Sequence, residues 1–200
     1  MHQQNVVDKY CLLIRGKPSS GKSSVSKALS SFTDFTLVDP DQVDTKSQSY
    51  KIFLPRQTKN PANNVKLYCY LYGLAETSIN SGKNVIWTQP WSRMAEIELT
   101  IRNFGYYLTE LEGNVWKTNP DEVVKMLPFR FLVAEIDVDN STSYSRWFKD
   151  NKKQEGLERL EKTQKLFQPY ILPTPFVKLD GKENIIQNAQ KILNFIKSEN

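Results

Sequence analysis

Apolar positions fall in short runs separated by turns and by longer amphipathic stretches, an alternation repeated about five times along the chain. That rhythm predicts an α/β domain on a mostly parallel, five-stranded sheet. The run Tyr-Cys-Leu-Leu-Ile-Arg at 10–15 reads as the first strand, with a helix over 21–31 and a second strand over 35–39. A long helix over 63–81 stops at Ser81-Gly82, where glycine suits the left-handed end position. Residues 84–88 read as the third strand, and 92–111 as an amphipathic helix with Ser92 as its cap candidate. Asn119-Pro120-Asp121-Glu122 reads as a helix start, with proline first and acids in the opening turn. A strand over 129–138 is rich in β-branched and aromatic residues. Residues 142–168 are charged and helical, broken near Gly156. A short last strand over 176–179 precedes a helix over 183–197, with Ile185, Ile186, Ala189, Ile192, Leu193 and Ile196 on one face.

Composition narrows the class. With 200 residues, 39% of them hydrophobic, the chain suits one domain spanning 1–200 and can bury a proper core. Cys11 and Cys69 are the only cysteines and His2 the only histidine. A structural zinc site is therefore not expected, and serine–histidine or cysteine–histidine catalysis is excluded. Free thiols inside apolar runs fit a reducing cytoplasm. The polar N-terminus and the short apolar run after it match neither a signal peptide nor a membrane span. The expectation is a soluble cytoplasmic protein with no membrane partner. A net charge of +5 suits phosphate-bearing ligands, and equally a solubilising surface.

The segment with specific chemistry is Gly16-Lys17-Pro18-Ser19-Ser20-Gly21-Lys22-Ser23, which matches G-x-x-x-x-G-K-[ST] at every fixed position. A strand pattern precedes it and a helix pattern (Val25, Ala28, Leu29) follows, the context this motif requires. Such a loop turns successive backbone N–H groups inward and, with the helix N-terminus, forms a concave anion site. Gly16, Lys17, Pro18, Ser19, Ser20, Gly21, Lys22, Ser23 and Ser24 are the expected nucleotide-binding residues. Gly21 permits close backbone approach, Lys22 reaches the β- and γ-phosphates, and the Ser23 hydroxyl ligates magnesium. ATP and Mg2+ are the expected cofactors. The second strand ends Val38-Asp39-Pro40-Asp41. If the strand continued, both carboxylates would lie on one face. One could then hold a magnesium-bound water while the other orients or deprotonates an acceptor hydroxyl. The alternative is turn chemistry with a helix cap.

The motif at 16–23, followed about sixteen residues later by a strand ending Asp39-x-Asp41, resembles the small P-loop kinases. It is similar to the shikimate kinase-like and the zeta-toxin-like or polynucleotide kinase-like members of the AAA_33 group. The resemblance implies a three-layer P-loop fold with a helical lid, Asp39 in the metal shell and Asp41 as base or acceptor anchor. One departure stands out. Where many relatives carry an aspartate after the third strand, this chain has Thr88 and Gln89, so no Walker B acid is evident.

By the same resemblance, residues 142–168 are the lid. Seven basic and four acidic residues fall between Arg146 and Lys165, and lid helices deliver cations to the transferring phosphoryl group. Arg146 is the first choice, with Lys152, Lys153 and Arg159 behind it. Lys162 and Lys165 read as a solvated face with i,i+4 partners. The stretch 45–63, with Tyr50, Lys51, Phe53, Arg56 and Lys59, would line the acceptor pocket, together with the segment from Trp87 through Trp91 to Arg93, whose tryptophans could stack on a ring, although Trp87, in a strand, reads first as core. Arg56 and Arg93 are the preferred acceptor contacts, while Tyr68, Tyr70 and Tyr72 read mostly as packing. The expected activity is ATP-dependent phosphotransfer to a hydroxyl of a small molecule or nucleotide-like acceptor, with Lys22, Asp41 and Arg146 as catalytic residues. The alternatives are a nucleotide-binding protein with slow or no turnover, which the absent acid favours, and a polynucleotide-end kinase, which the charge permits but does not favour.

Overall fold

The apolar run that opens the sequence pattern becomes the middle of a sheet. The computed structural model describes residues 9–52, 63–112, 115–123, 126–149 and 156–199. Five parallel strands lie in the order β2-β3-β1-β6-β7: β1 (Lys9–Arg15), β2 (Thr36–Val38), β3 (Val85–Thr88), β6 (Phe129–Asp137) and β7 (Phe176–Asp180). Strands covered on both faces should be continuously apolar. Tyr10, Cys11, Leu12, Leu13 and Ile14 are accordingly all buried. Odd-numbered β1 residues (Cys11, Leu13) join Trp87, Val133 and the helices α3 (Asn63–Asn80) and α4 (Met94–Asn103). Even-numbered ones (Tyr10, Leu12, Ile14) join α1 (Lys22–Phe32) and α7 (Ile185–Ser198). Helix, sheet, helix: the expected three layers and parallel five-stranded sheet are present.

Several boundaries follow from local chemistry. Helix α3 ends as its Ser81-Gly82 signal predicts: Gly82 has φ 78° and donates its N–H to the Ile79 carbonyl at 2.9 Å. In α7, Ala189, Ile192 and Ile196 are buried, whereas Ile185 and Ile186 of the same apolar stripe are exposed at its first turn.

Two expectations are overturned. The helix predicted over 92–111 stops at Asn103, and Ser92 does not cap it. The turn instead uses Arg93, whose N–H donates to Glu96 Oε2 at 3.4 Å. Gly105, at φ 81°, then reverses the chain. β4 (Tyr106–Glu112) pairs antiparallel with β5 (Val115–Val123), which occupies the place of the helix start predicted at 119–122. Tyr106, Tyr107 and Thr109 favour extended backbone, and the hairpin supplies partners that the 119–122 signal could not reveal. Pro120 lies between the paired positions Thr118 and Val123, beside the irregular stretch of the ladder, where a residue without an N–H is best tolerated. The remaining helices are α2 (Gln48–Ile52), α5 (Asn140–Lys149) and α6 (Leu157–Leu166). Both cysteines are free and buried. Among the described residues no helix is long and apolar enough to cross a membrane.

Candidate functional site

The phosphate loop leaves β1 at Gly16 and enters α1 at Lys22. Gly16 is dictated by space: a Cβ there would lie 2.6 Å from the Ile136 carbonyl and 2.5 Å from Ser20 Oγ. The backbone turns through two left-handed residues, Ser19 at φ 57° and Gly21 at φ 99°. Such changes of handedness bring neighbouring N–H groups to one side of a loop, which is how anion-binding nests form. Gly21 is also the cap of α1, without a side-chain cap bond, so the helix opens with its first amides and its positive dipole end toward the loop. The Ser19 and Ser20 hydroxyls are buried without a hydrogen-bond partner. An unsatisfied buried group of this kind costs about 1–3 kcal/mol, a cost a bound phosphate oxygen can remove. Lys22 Nζ folds back to within 3.4 Å of the Lys17 carbonyl, and half-buried Ser23 and exposed Ser24 follow it on the first turn of α1.

The acid pair sits at the same, carboxyl-terminal edge of the sheet, at the end of β2. Asp39 is buried and caps the 3-10 turn Pro40–Gln42: its Oδ1 accepts the Asp41 N–H at 3.0 Å and its Oδ2 accepts Gln42 Nε2 at 3.1 Å. Extended backbone ends there, so the two carboxylates do not share a strand face. Asp41 is exposed. Beside them, β3 ends at Thr88, whose hydroxyl shares a 2.5 Å hydrogen bond with Ser26 of α1. Gln89 is buried, and its side-chain Nε2 lacks a partner. The turn after it lies against the phosphate loop, with the Gly16 N–H donating to the Pro90 carbonyl at 3.4 Å. Trp91, in that turn, is buried at φ 38°.

Arg146 lies at the rim of the loop. Its guanidinium donates to the Ser20 carbonyl at 3.2 Å and to the Gly181 carbonyl at 2.8 Å, and reaches 3.7 Å from where a Cβ on Gly21 would stand. Lys162 and Lys165, expected on a solvated face, are exposed on α6. Lys152 and Lys153 lie outside the described residues, as do Phe53, Arg56 and Lys59 of the expected acceptor stretch. Arg93 is exposed at the start of α4 and paired with Glu96 at 3.1 Å. Trp87 is core, in edge contact with Tyr72 at 4.9 Å. Tyr50 is buried, edge-on to Tyr70 at 5.2 Å and under Lys66 Nζ at 5.0 Å.

The sequence pattern did not single out Arg15. It is fully buried one residue before the loop, 3.4 Å from Glu135 on the neighbouring strand and over the Phe167 ring at 4.3 Å. Burial lowers the Arg15 pKa and raises that of Glu135, each countered by the partner's charge. Gln168, just beyond α6, is held by three bonds. Its carbonyl accepts from Arg15 at 2.7 Å, its N–H donates to the Ser92 carbonyl at 2.7 Å, and its Oε1 accepts from the Met94 N–H at 2.8 Å. The only available sequence signal was a charged residue closing an apolar strand.

No protein-family profile matches the chain, and no curated protein matches its sequence. Solved structures do match it in three dimensions. An unliganded sugar kinase from Janibacter sp. HTCC2649 superposes with a TM-score of 0.58 at 13% identity, covering 95% of each chain. A putative kinase from Chloroflexus aurantiacus gives 0.61 at 15% identity, covering 94% of this chain and 98% of that one. The APS kinase CysC of Mycobacterium tuberculosis, solved with AMPPNP and APS, gives 0.55 at 16% identity over 95% and 98%. The chain has the small P-loop kinase fold. Within that fold, the loop at 16–23, Asp39, Asp41, the turn at 89–93 and Arg146 all belong to the carboxyl-terminal edge of one parallel sheet, where open α/β folds gather their ligands.

Proposed function

We propose that the chain is an ATP- and Mg2+-dependent phosphotransferase acting on a hydroxyl of a small molecule or nucleotide-like acceptor. The observation that carries this reading is the phosphate loop itself, with its two left-handed residues and the unpartnered hydroxyls of Ser19 and Ser20. Kinase-fold neighbours support the reaction class, among them a sugar kinase and an APS kinase solved with a nucleotide analogue. Gly16 to Ser24 would hold the triphosphate, with Lys22 neutralising its terminal phosphates. A magnesium ion fits the donor set. Ser23 offers a hydroxyl, and each Asp39 oxygen, having accepted one hydrogen bond, keeps a lone pair for a metal-bound water. Bound there, the metal would offset charge on the β- and γ-phosphates. Exposed Asp41 would take the proton of the acceptor hydroxyl as its oxygen bonds to the γ-phosphorus and ADP departs. Arg146 would stabilise the transferring group with the guanidinium N–H groups that its Ser20 and Gly181 carbonyl bonds leave over. Arg93 and Arg56 are proposed acceptor contacts. Buried free thiols support a cytoplasmic setting.

A second reading, a nucleotide-binding protein with slow or no turnover, is favoured by one observation. β3 ends at Thr88 and is followed by Gln89, with no acid at either position, and Thr88 is already bonded to Ser26. A polynucleotide-end kinase is a narrower form of the first reading. Magnesium-dependent ATP consumption across sugars, sugar acids, nucleosides and 5′-hydroxyl oligonucleotides separates them. We expect one class to stimulate turnover, and Asp41→Asn to lower it at least ~100-fold, the scale of general-base catalysis, while ATP still binds. Unstimulated, slow hydrolysis that Asp41→Asn leaves unchanged would move the binding-protein reading ahead.

A further inference from the structure

A phosphate loop can turn its N–H groups inward only if its carbonyls turn outward, and outward carbonyls need donors. In this chain one stripe of α5 reaches the loop residue by residue. Asn140 Oδ1 accepts from Lys17 Nζ at 3.1 Å. Three positions on, the Ser143 hydroxyl donates to the Pro18 carbonyl at 2.7 Å. Three further on, Arg146 donates to the Ser20 carbonyl at 3.2 Å. Spacing of this kind places side chains on one helical face. The two held carbonyls bracket Ser19, the loop's left-handed non-glycine residue, a conformation that persists only where its surroundings over-determine it. Ser143 is fully buried, and its hydroxyl also accepts from Gln164 Nε2 of α6 at 3.0 Å. Arg146 carries the frame onward to the Gly181 carbonyl, beside which Gly181 packs with no room for a Cβ: the Ser20 carbonyl would be 2.7 Å away.

We propose that α5 is the template that holds the phosphate loop in its anion-binding shape before nucleotide arrives. Ser143 is its central positioning residue, and the Ser143–Gln164 bond links loop geometry to α6. The proposal rests on the nucleotide-binding reading above. Linkage is reciprocal, so a ligand that fixes the loop also fixes α6, and loss of the relay uncouples them.

The test uses the full chain with Mg·AMPPNP as probe, read by calorimetric titration and by hydrogen exchange of α6 amides with and without probe. Ser143→Ala removes the Pro18 donor and should weaken binding roughly tenfold, the scale of one lost hydrogen bond to a part-buried carbonyl. Gln164→Ala leaves the Pro18 bond intact. It should keep affinity within about threefold, at the weak end of a single bond's worth, while abolishing the added protection of α6 on binding. A merely structural role would leave that ligand-dependent protection in place. Wild-type affinity in Ser143→Ala, or undiminished α6 protection in Gln164→Ala, overturns the proposal. If Ser143→Ala does not fold, Gln164→Ala still decides. Failure of the wild-type chain to bind the probe overturns the nucleotide reading, and this proposal with it, a result distinct from binding that survives without coupling.

Discussion

Arg15 places a buried charge one residue before the phosphate loop. Its guanidinium is fully buried beneath Phe167, facing Glu135 at 3.4 Å, with Lys178 in turn 3.7 Å from Glu135 and 2.9 Å from Asp137. A buried ion pair is weak evidence of net stability, but removing one partner strands the other charge. Arg15→Met should therefore destabilise the chain by about 3–5 kcal/mol, measured by urea unfolding at neutral pH, and Arg15→Met/Glu135→Met should recover most of the loss. The pH dependence has a definite sign. Glu135 has its pKa raised above the ordinary 4.5, first by burial, so the folded state takes up its proton more readily than the unfolded one. Without Arg15 that upward push grows, because the arginine is what lowers it. The deficit of Arg15→Met should then be full at neutral pH and shrink as the pH falls through the raised value and Glu135 becomes neutral. A deficit independent of pH would mean that lost packing against Phe167, not charge, is the cause.

At the scale of elements, α5 depends on its first residues. Asp139 accepts the Thr142 N–H at 2.7 Å and the Ser141 hydroxyl at 2.5 Å, and pairs with Lys182 of the turn before α7. These partners, Lys182 first, hold its carboxyl well below the usual range. A depressed carboxylate stabilises above its unfolded value and loses that contribution as pH falls toward the folded one. Asp139→Ala should lower the thermal midpoint at neutral pH, whereas Asp139→Asn, which keeps the cap but not the Lys182 pair, should lower it less. Both differences should narrow in strong acid, and equal midpoints at neutral pH would remove the cap from the account. The strand–loop–helix around 16–23, the order of the five sheet strands' segments and the Gly156 break were legible because each rests on local periodicity or a fixed motif. The β4–β5 hairpin was not, since Pro120-Asp121-Glu122 carries a helix signal that only pairing with residues 106–112 overrides. Ser143 and Gln168 were equally invisible. Their partners lie far off in sequence, at Pro18 and at Arg15, Ser92 and Met94, and hydroxyl and amide side chains carry no periodic signature.

For the molecule as a whole, the phosphate loop is joined to nearly every layer. It continues β1, the middle strand of the sheet, is held by α5 at the Pro18 and Ser20 carbonyls, and meets the Gly181 turn before α7 through Arg146. The Gln168 segment beyond α6 is fastened to the residue before the loop and to the start of α4. A ligand seated in that loop should therefore stabilise the chain as one unit. On the proposed function, Mg·ATP at a hundred times its dissociation constant should add about 2.7 kcal/mol to the folded state. In a chain of this size that corresponds to a rise of roughly 5–10 °C in a single melting transition. Calorimetric scans with and without Mg·ATP check it, with Lys22→Ala as the control expected to lose most of the rise. Two separate transitions, only one of them moved by nucleotide, would show that the 200 residues do not fold as one domain. An equal rise in Lys22→Ala would place the nucleotide somewhere other than the loop.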